Sequence, residues 1–245
     1  MRQDANARRR AWVKVNPDRV RTHLLLGAIT VAGCALTYGL QPRFWPALTF
    51  TIAFGYLALL FLAVTLLIGP SRLLWRRRNP VNIDSRRDSG IWAGLTGCLH
   101  VVFGLQVHLG GKILAYFFTP AGDLRLDLLG VSNDLGAAAT VILVGLVALS
   151  NNWTLRRLRG PRWKFWQRFN YALFLLVLAH TLGYQTVMPR DPIMRPLVGV
   201  LALGILAAQL WGRYRYANRA RRAPVAPAQH PVAAIPEPVT DQGLK

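Results

Sequence analysis

Acidic residues are scarce in this chain. Ten Asp and Glu stand against thirty Lys and Arg, a formal net charge of +20 at pH 7. A nucleic-acid binder can be that basic, but it would not also contain several long uncharged stretches, so nucleic acid is not an expected partner. Cysteine is nearly absent. Cys34 and Cys98 both fall within apolar runs and lack metal-site spacing, so they read as small packing residues. No glycine-rich nucleotide fingerprint such as GxGxxG occurs, and no soluble domain is expected after the last apolar run, so the chain should not oxidise NAD(P)H unaided. No cleavable signal peptide is expected either, because the basic amino terminus is long and no cleavage site follows the first run. No repeat of fixed period is visible.

Apolar length is what the chain has. Of its 245 residues 53% are hydrophobic, and they gather into six runs at roughly 24–40, 45–69, 90–109, 135–149, 171–188 and 196–211. About 20 apolar residues, at about 1.5 Å each, cross the hydrocarbon core of a bilayer. Six spans are therefore expected, with the short fourth run extending at either end. Lys and Arg number 7 before the first span, then 1, 6, 2, 6 and 2 in successive loops, and 6 in the tail. Alternate segments thus hold 25 against 5, the bias that marks cytoplasmic segments. The expected architecture is an all-α integral membrane bundle of about six transmembrane helices, with both termini cytoplasmic, in a bacterial-type cytoplasmic membrane. Its parts are a basic cytoplasmic lead at 1–23, the bundle at 24–212, and a tail at 213–245 that is first basic, then Pro/Ala-rich and disordered.

The segments outside the spans have their own character. The lead is expected to include a short interfacial helix around Trp12 to Val20. The second loop is basic, and Asp88 or Ser89 is expected to cap the third span. The third loop, with Tyr116, Phe117, Phe118, Asp123 and Asp127, is aromatic and acidic. The fourth, NNWTLRRLRGPRWKFWQR, is basic and tryptophan-rich, as suits the cytoplasmic headgroup layer. Membrane lipid, anionic lipid in particular, is the expected partner of these basic segments.

Two histidines interrupt the apolar runs at matched depth. His100 lies 13 residues beyond Arg87, and His180 lies 12 beyond Arg168. Both spans run outward, which puts the pair roughly 18–20 Å along each axis. An ionisable side chain at such depth is costly and rarely idle. Two neutral imidazoles on neighbouring helices can ligate opposite faces of one haem iron. The plainer alternative is a pair hydrogen-bonded between helices. Gly90, Gly94, Gly97 and Gly104 form a narrow stripe where a helix or a flat macrocycle can approach. His108 and Met188 each stand eight residues beyond a central histidine, an offset that permits a second, crowded His/Met haem, although Pro189 ends the helix beside Met188. His108 otherwise reads as an interfacial or outer-face contact residue. Gln106 and Gln185, near the outer ends, suit haem propionates, an electron exit or a plain interhelical bond. His23 reads as interfacial, and His230 belongs to the tail.

The chain resembles the ferric reductase-like transmembrane family over roughly residues 67–211. The resemblance rests on GPSRLL followed by RRDSGIWAGLTGCLH, and on WKFWQRFNYALFLLVLAH with a terminal TLGYQ. That family includes the haem-binding membrane subunit of bacterial methionine-sulfoxide reductase systems and the membrane halves of ferric reductases and NADPH oxidases. The resemblance implies that His100 and His180 are the haem ligands. The family commonly has another histidine 13 residues before the second ligand, where this chain has Gln167. The usual counterpart in two-haem members would fall near Leu114, which cannot ligate. One b-type haem is therefore expected rather than two.

The resemblance further implies transmembrane electron transfer toward an outer-face acceptor. A quinol or a separate cytoplasmic flavoprotein would be the donor, with an outer-face redox partner as acceptor. The basic second and fourth loops suit docking to an acidic donor, and Trp163, Trp166 and Tyr171 are aromatics that would help an inward relay. Two other readings stand beside this one: a haem-free membrane scaffold subunit, and a small transporter using His100 and His180 as proton-relay residues.

Overall fold

Inside a bilayer the backbone has no water to bond to, so apolar runs of this length close their hydrogen bonds within helices. The computed structural model describes residues 17–42, 44–74, 83–188 and 193–222. Seven α-helices form within them: α1 (Pro17–Leu40), α2 (Pro46–Leu74), α3 (Ile83–Val107), α4 (Leu128–Leu149), α5 (Asn152–Gln167), α6 (Phe169–Val187) and α7 (Met194–Arg222). Five of them, α1, α2, α3, α4 and α7, are long and apolar enough to cross a membrane. The expected fifth span, α6, has 19 residues, about 28 Å of helix. It is less apolar because Asn170, His180, Tyr184 and Gln185 all lie on it, yet it packs in the bundle against α4, α2 and α7.

The architecture centres on α2. Ala53, Leu57, Phe61, Leu62, Ala63 and Leu66 of this helix are buried, and α3, α7 and α1 all pack on it. By contrast α1 is peripheral. Its Leu24, Leu25, Val31 and Leu36 are exposed, an arrangement that water would oppose and lipid accepts. Pro70 lies inside α2 and cannot donate to the carbonyl of Leu66. That carbonyl instead accepts from Gln209 Nε2 of α7 at 2.6 Å, so the break in the helix ladder becomes a tie between helices.

The helix ends have local causes. The short fourth run extends, as expected, to Leu128, where the Asp127 carboxylate caps the helix by accepting from the Gly130 amide at 2.7 Å. The basic fourth loop is largely helical: Asn151 accepts from the Thr154 amide at 2.7 Å and starts α5. The last helix continues to Arg222, so the basic first part of the tail is helical. Helix α1 begins at Pro17, inside the basic lead, while residues 12–16 of the expected interfacial helix and the Pro/Ala-rich tail with His230 lie outside the described residues.

Asp88 does not cap α3, which starts five residues earlier at Ile83. It is 1% exposed and ion-paired with Arg19 of α1. His23 joins the pair, with Nε2 3.4 Å from Asp88 and Nδ1 accepting from the Trp92 indole at 3.0 Å. A buried carboxylate held this way fastens the peripheral helix to the bundle.

Candidate functional site

Each of the two central histidines is seated by a different helix, and by the same device. His100, on α3, donates from Nδ1 to the Thr51 carbonyl of α2 at 2.8 Å. One helical turn along α2 is Gly55, where an added Cβ would stand 2.8 Å from His100 Nδ1. His180, on α6, donates from Nδ1 to the Ser132 carbonyl of α4 at 2.7 Å. One turn along α4 is Gly136, where a Cβ would stand 2.7 Å from His180 Nδ1. A hydroxyl residue followed four places later by glycine thus receives each imidazole. The carbonyl sets the ring's direction, and the missing side chain lets the ring lie against the helix.

The chemistry of this seating is definite. A carbonyl oxygen only accepts, so Nδ1 carries the proton in both neutral rings and Nε2 is left as a lone pair. Metal-bound histidines are held in the same manner, with the non-ligating nitrogen tied to a backbone oxygen. The rings face each other with centroids 6.1 Å apart and planes at 82°. Two imidazole nitrogens about 2 Å either side of one metal ion put ring centres about 6 Å apart. Both rings line one cavity of about 540 Å³ with a largely apolar wall, within the size range of cofactor sites at about 300–1,000 Å³. The donor set, the spacing and the glycine-lined cradle all fit a planar macrocycle held from both faces. Among the described residues no group of three or more His, Cys, Asp and Glu is placed to hold a bare metal ion.

The outer half of the cavity is polar. Tyr184 lies against the His180 ring at 4.9 Å and the His108 ring at 5.7 Å, and its hydroxyl donates to Asn133 Oδ1. Asn133 in turn donates to the Tyr116 carbonyl at 2.9 Å. The Tyr116 hydroxyl reaches the carbonyls of Gly104 and His108 at 2.9 and 2.8 Å, the first near the end of α3, where carbonyls run out of helical partners, the second shared with the Gly111 amide at 3.1 Å. Leu109, Gly110 and Gly111 all have positive φ, so the chain turns sharply here and brings Tyr116 back over the helix. Burial pushes the Tyr116 phenol up from its ordinary pKa, against the smaller opposing effect of its bond to His108. His108 and Met188 also line the cavity, while Gln185 donates to the Tyr56 hydroxyl.

Only some of the other singled-out residues border this cavity. Gln106 is exposed and donates to its own helix at the Val102 carbonyl, 2.9 Å away. Of the glycine stripe, Gly97 and Gly104 line the cavity, while Gly94 and Gly97 also pack on α4, where a Cβ would collide with Val147 and Leu143. Leu114 is exposed on the outer turn. Trp166 stacks on Phe169 at 5.5 Å, Tyr171 bonds Gln209 at 3.3 Å, and Trp163 bonds the Leu149 carbonyl at 3.2 Å. None of these three aromatics lines the histidine cavity. Sequence reasoning missed Thr51, Gly55, Ser132, Gly136, Asn133 and Tyr184. The available signal was the spacing Ser/Thr-x-x-x-Gly, present on both helices that receive a histidine.

Comparison with known proteins identifies relatives of one kind. No family model matches the chain, and no solved structure matches it. Curated relatives do match. The chain is 32% identical over 154 residues to the protein-methionine-sulfoxide reductase heme-binding subunit MsrQ of Enterobacter sp. (strain 638), covering 62% of this chain and 71% of that protein. It is 32% identical over 164 residues to the protein of the same name from Rhodospirillum rubrum, covering 66% and 72%. It is 30% identical over 169 residues to that of Bordetella pertussis, covering 65% and 73%. With five apolar spans around a paired-histidine cavity and relatives of this kind, the chain is a multi-pass bacterial membrane protein that belongs to the MsrQ family of haem-binding membrane subunits.

Proposed function

We propose that this chain holds one b-type haem between His100 and His180 and carries electrons through the membrane from a donor on its basic side to an acceptor on the opposite face. The observation that carries the reading is the double seat: both Nδ1 atoms are fixed to backbone carbonyls, so both rings present Nε2 across one cavity. When bound, the haem supplies a one-electron iron couple whose potential follows its ligands and surroundings. Non-covalent attachment is expected, because the two cysteines form no CxxCH signature. One haem rather than two is proposed because neither Gln167, at the basic end, nor Leu114, exposed on the outer turn, can supply a further ligand of the kind the family resemblance would ask for.

The chain's own residues then have distinct tasks. Thr51 and Ser132 orient the ligating rings, and Gly55 and Gly136 admit them. The apolar wall around the rings excludes water, which helps set the potential. Tyr184 extends the site from His180 toward His108 and the outer turn, the direction in which electrons would leave. The positive-inside bias of the loops supports a cytoplasmic side that holds both termini and the basic α5. A quinol or a cytoplasmic flavoprotein delivers the electrons there. By analogy with the relatives' name, the outer acceptor is a reductase subunit acting on oxidised methionine in proteins.

The test is a reduced-minus-oxidised absorption spectrum of the purified protein with haem counted per chain. The expected result is a Soret band with split alpha bands at one haem per chain. His100→Ala and His180→Ala should each abolish the spectrum. No haem under haem-replete expression would instead favour a scaffold or a proton-relay transporter. Full haem in both variants would refute the ligand pair.

A further inference from the structure

The basic end of the bundle holds a second and far smaller cavity, about 20 Å³, where the start of α3, the end of α4 and the α5–α6 junction meet. Two buried donors line it with no partner among the described residues, Arg86 Nε and Gln167 Nε2. The Gln167 amide is held in this sense because its oxygen accepts from Asn170 Nδ2 at 3.0 Å, which leaves its N–H groups for the cavity. The neighbouring donors are already engaged: Arg87 Nε bonds the Ser150 carbonyl and the Trp163 indole bonds that of Leu149. No carboxylate lines the cavity, and Asp88 nearby is turned to Arg19.

Whatever completes this site must accept hydrogen bonds, answer a positive charge and fit a space about one oxygen atom wide. Leaving a buried guanidinium N–H unmatched is costly. One water needs about 10–15 Å³, so a water meets the size but not the charge. A quinone or flavin ring exceeds the volume. One oxygen of an oxyanion meets all three conditions, and charge-assisted bonds of this kind are the stronger ones. The rest of such an ion would lie at the mouth, beside α5. That helix exposes Trp153, Phe165 and Trp166 and lays Arg157 5.1 Å over the Trp153 ring, the composition of a helix at the level of lipid headgroups. We propose that the Arg86–Gln167 cavity is a phosphate-oxyanion site, filled in the membrane by the headgroup phosphate of an anionic phospholipid.

Delipidated full-length protein in a maltoside detergent would be titrated with phosphatidylglycerol, and separately with inorganic phosphate. Native mass spectrometry counts the adducts and a melting curve reads the stabilisation. One tightly held phosphatidylglycerol per chain is expected. Arg86→Gln should weaken it roughly tenfold or more, the loss of one charge-assisted bond. Gln167→Glu keeps the side-chain shape, sets a carboxylate against the phosphate and should weaken it likewise. The haem spectrum, recorded on the same samples, reports folding and the histidine site independently. Inorganic phosphate that binds with the same dependence on both residues, and displaces the lipid, identifies a free oxyanion as the occupant. Phosphatidylglycerol held equally by all three proteins, or by none, overturns the site.

Discussion

At the scale of single residues, the glycines are as decisive as the histidines they receive. Gly136→Ala puts a methyl group 2.7 Å from His180 Nδ1, closer than any carbon rests on a ring nitrogen. The imidazole must then leave its carbonyl or part the helices, a strain of about 1–3 kcal/mol. Haem retention should fall roughly tenfold or more, read as Soret absorbance per protein. Gly145→Ala, on the same helix but facing open space, should retain full haem. Tyr116 offers a pH test. Its pKa is raised by burial, so the protonated phenol is favoured in the folded state. Its contribution should be complete below the ordinary value of 10.0 and fade as pH climbs beyond it. Tyr116→Phe should cost about 1 kcal/mol below that pH and abolish this part of the alkaline dependence, measured by melting curves. The two central histidines were legible in the sequence because a lone ionisable group amid apolar residues is conspicuous. Their seats were less plain, since the acceptors are main-chain oxygens, which every residue possesses, and only the Ser/Thr-x-x-x-Gly spacing marks the helices that carry them.

At the scale of elements, helices are joined here by single polar ties across otherwise apolar faces. Gln209→Leu would leave the Leu66 carbonyl, already denied its helical partner by Pro70, without a donor. The expected loss is about 1 kcal/mol, as for interhelical bonds in membranes, measured by unfolding in mixed micelles; restoring the backbone donor with Pro70→Ala should recover it. Asp88→Ala should cost about 3 kcal/mol, because Arg19 loses its partner in a setting that excludes most water. The effect should be confined to α1, detected as faster proteolysis or exchange of that helix. Asp88 also shows why element ends were hard to read. Its sequence setting, Arg-Arg-Asp-Ser-Gly, has the look of a helix start, while its partner is 69 positions away. The α5 helix escaped for the opposite reason: its residues are polar enough to pass for loop, and only the Asn151 cap reveals the turn that begins it.

At the scale of the whole molecule, six apolar runs and alternating loop charge conveyed the class of fold without any single motif. What they could not convey was which helix packs on which, since lipid-facing and buried positions are equally apolar. Cytoplasmic and periplasmic reporters fused after residues 40, 112, 160 and 190 should read out, out, in and out. Any reporter read on the opposite side would overturn the proposed orientation. The two histidine seats have a further consequence for how the protein tolerates change. Because the oxygens that aim both rings belong to the main chain, no exchange of side chain at positions 51 or 132 can delete them. What a change there meets is packing, since the Thr51 hydroxyl bonds the His100 carbonyl and the Ser132 hydroxyl lies against Gly183. The strictest burden falls on the two places where nothing larger than hydrogen fits.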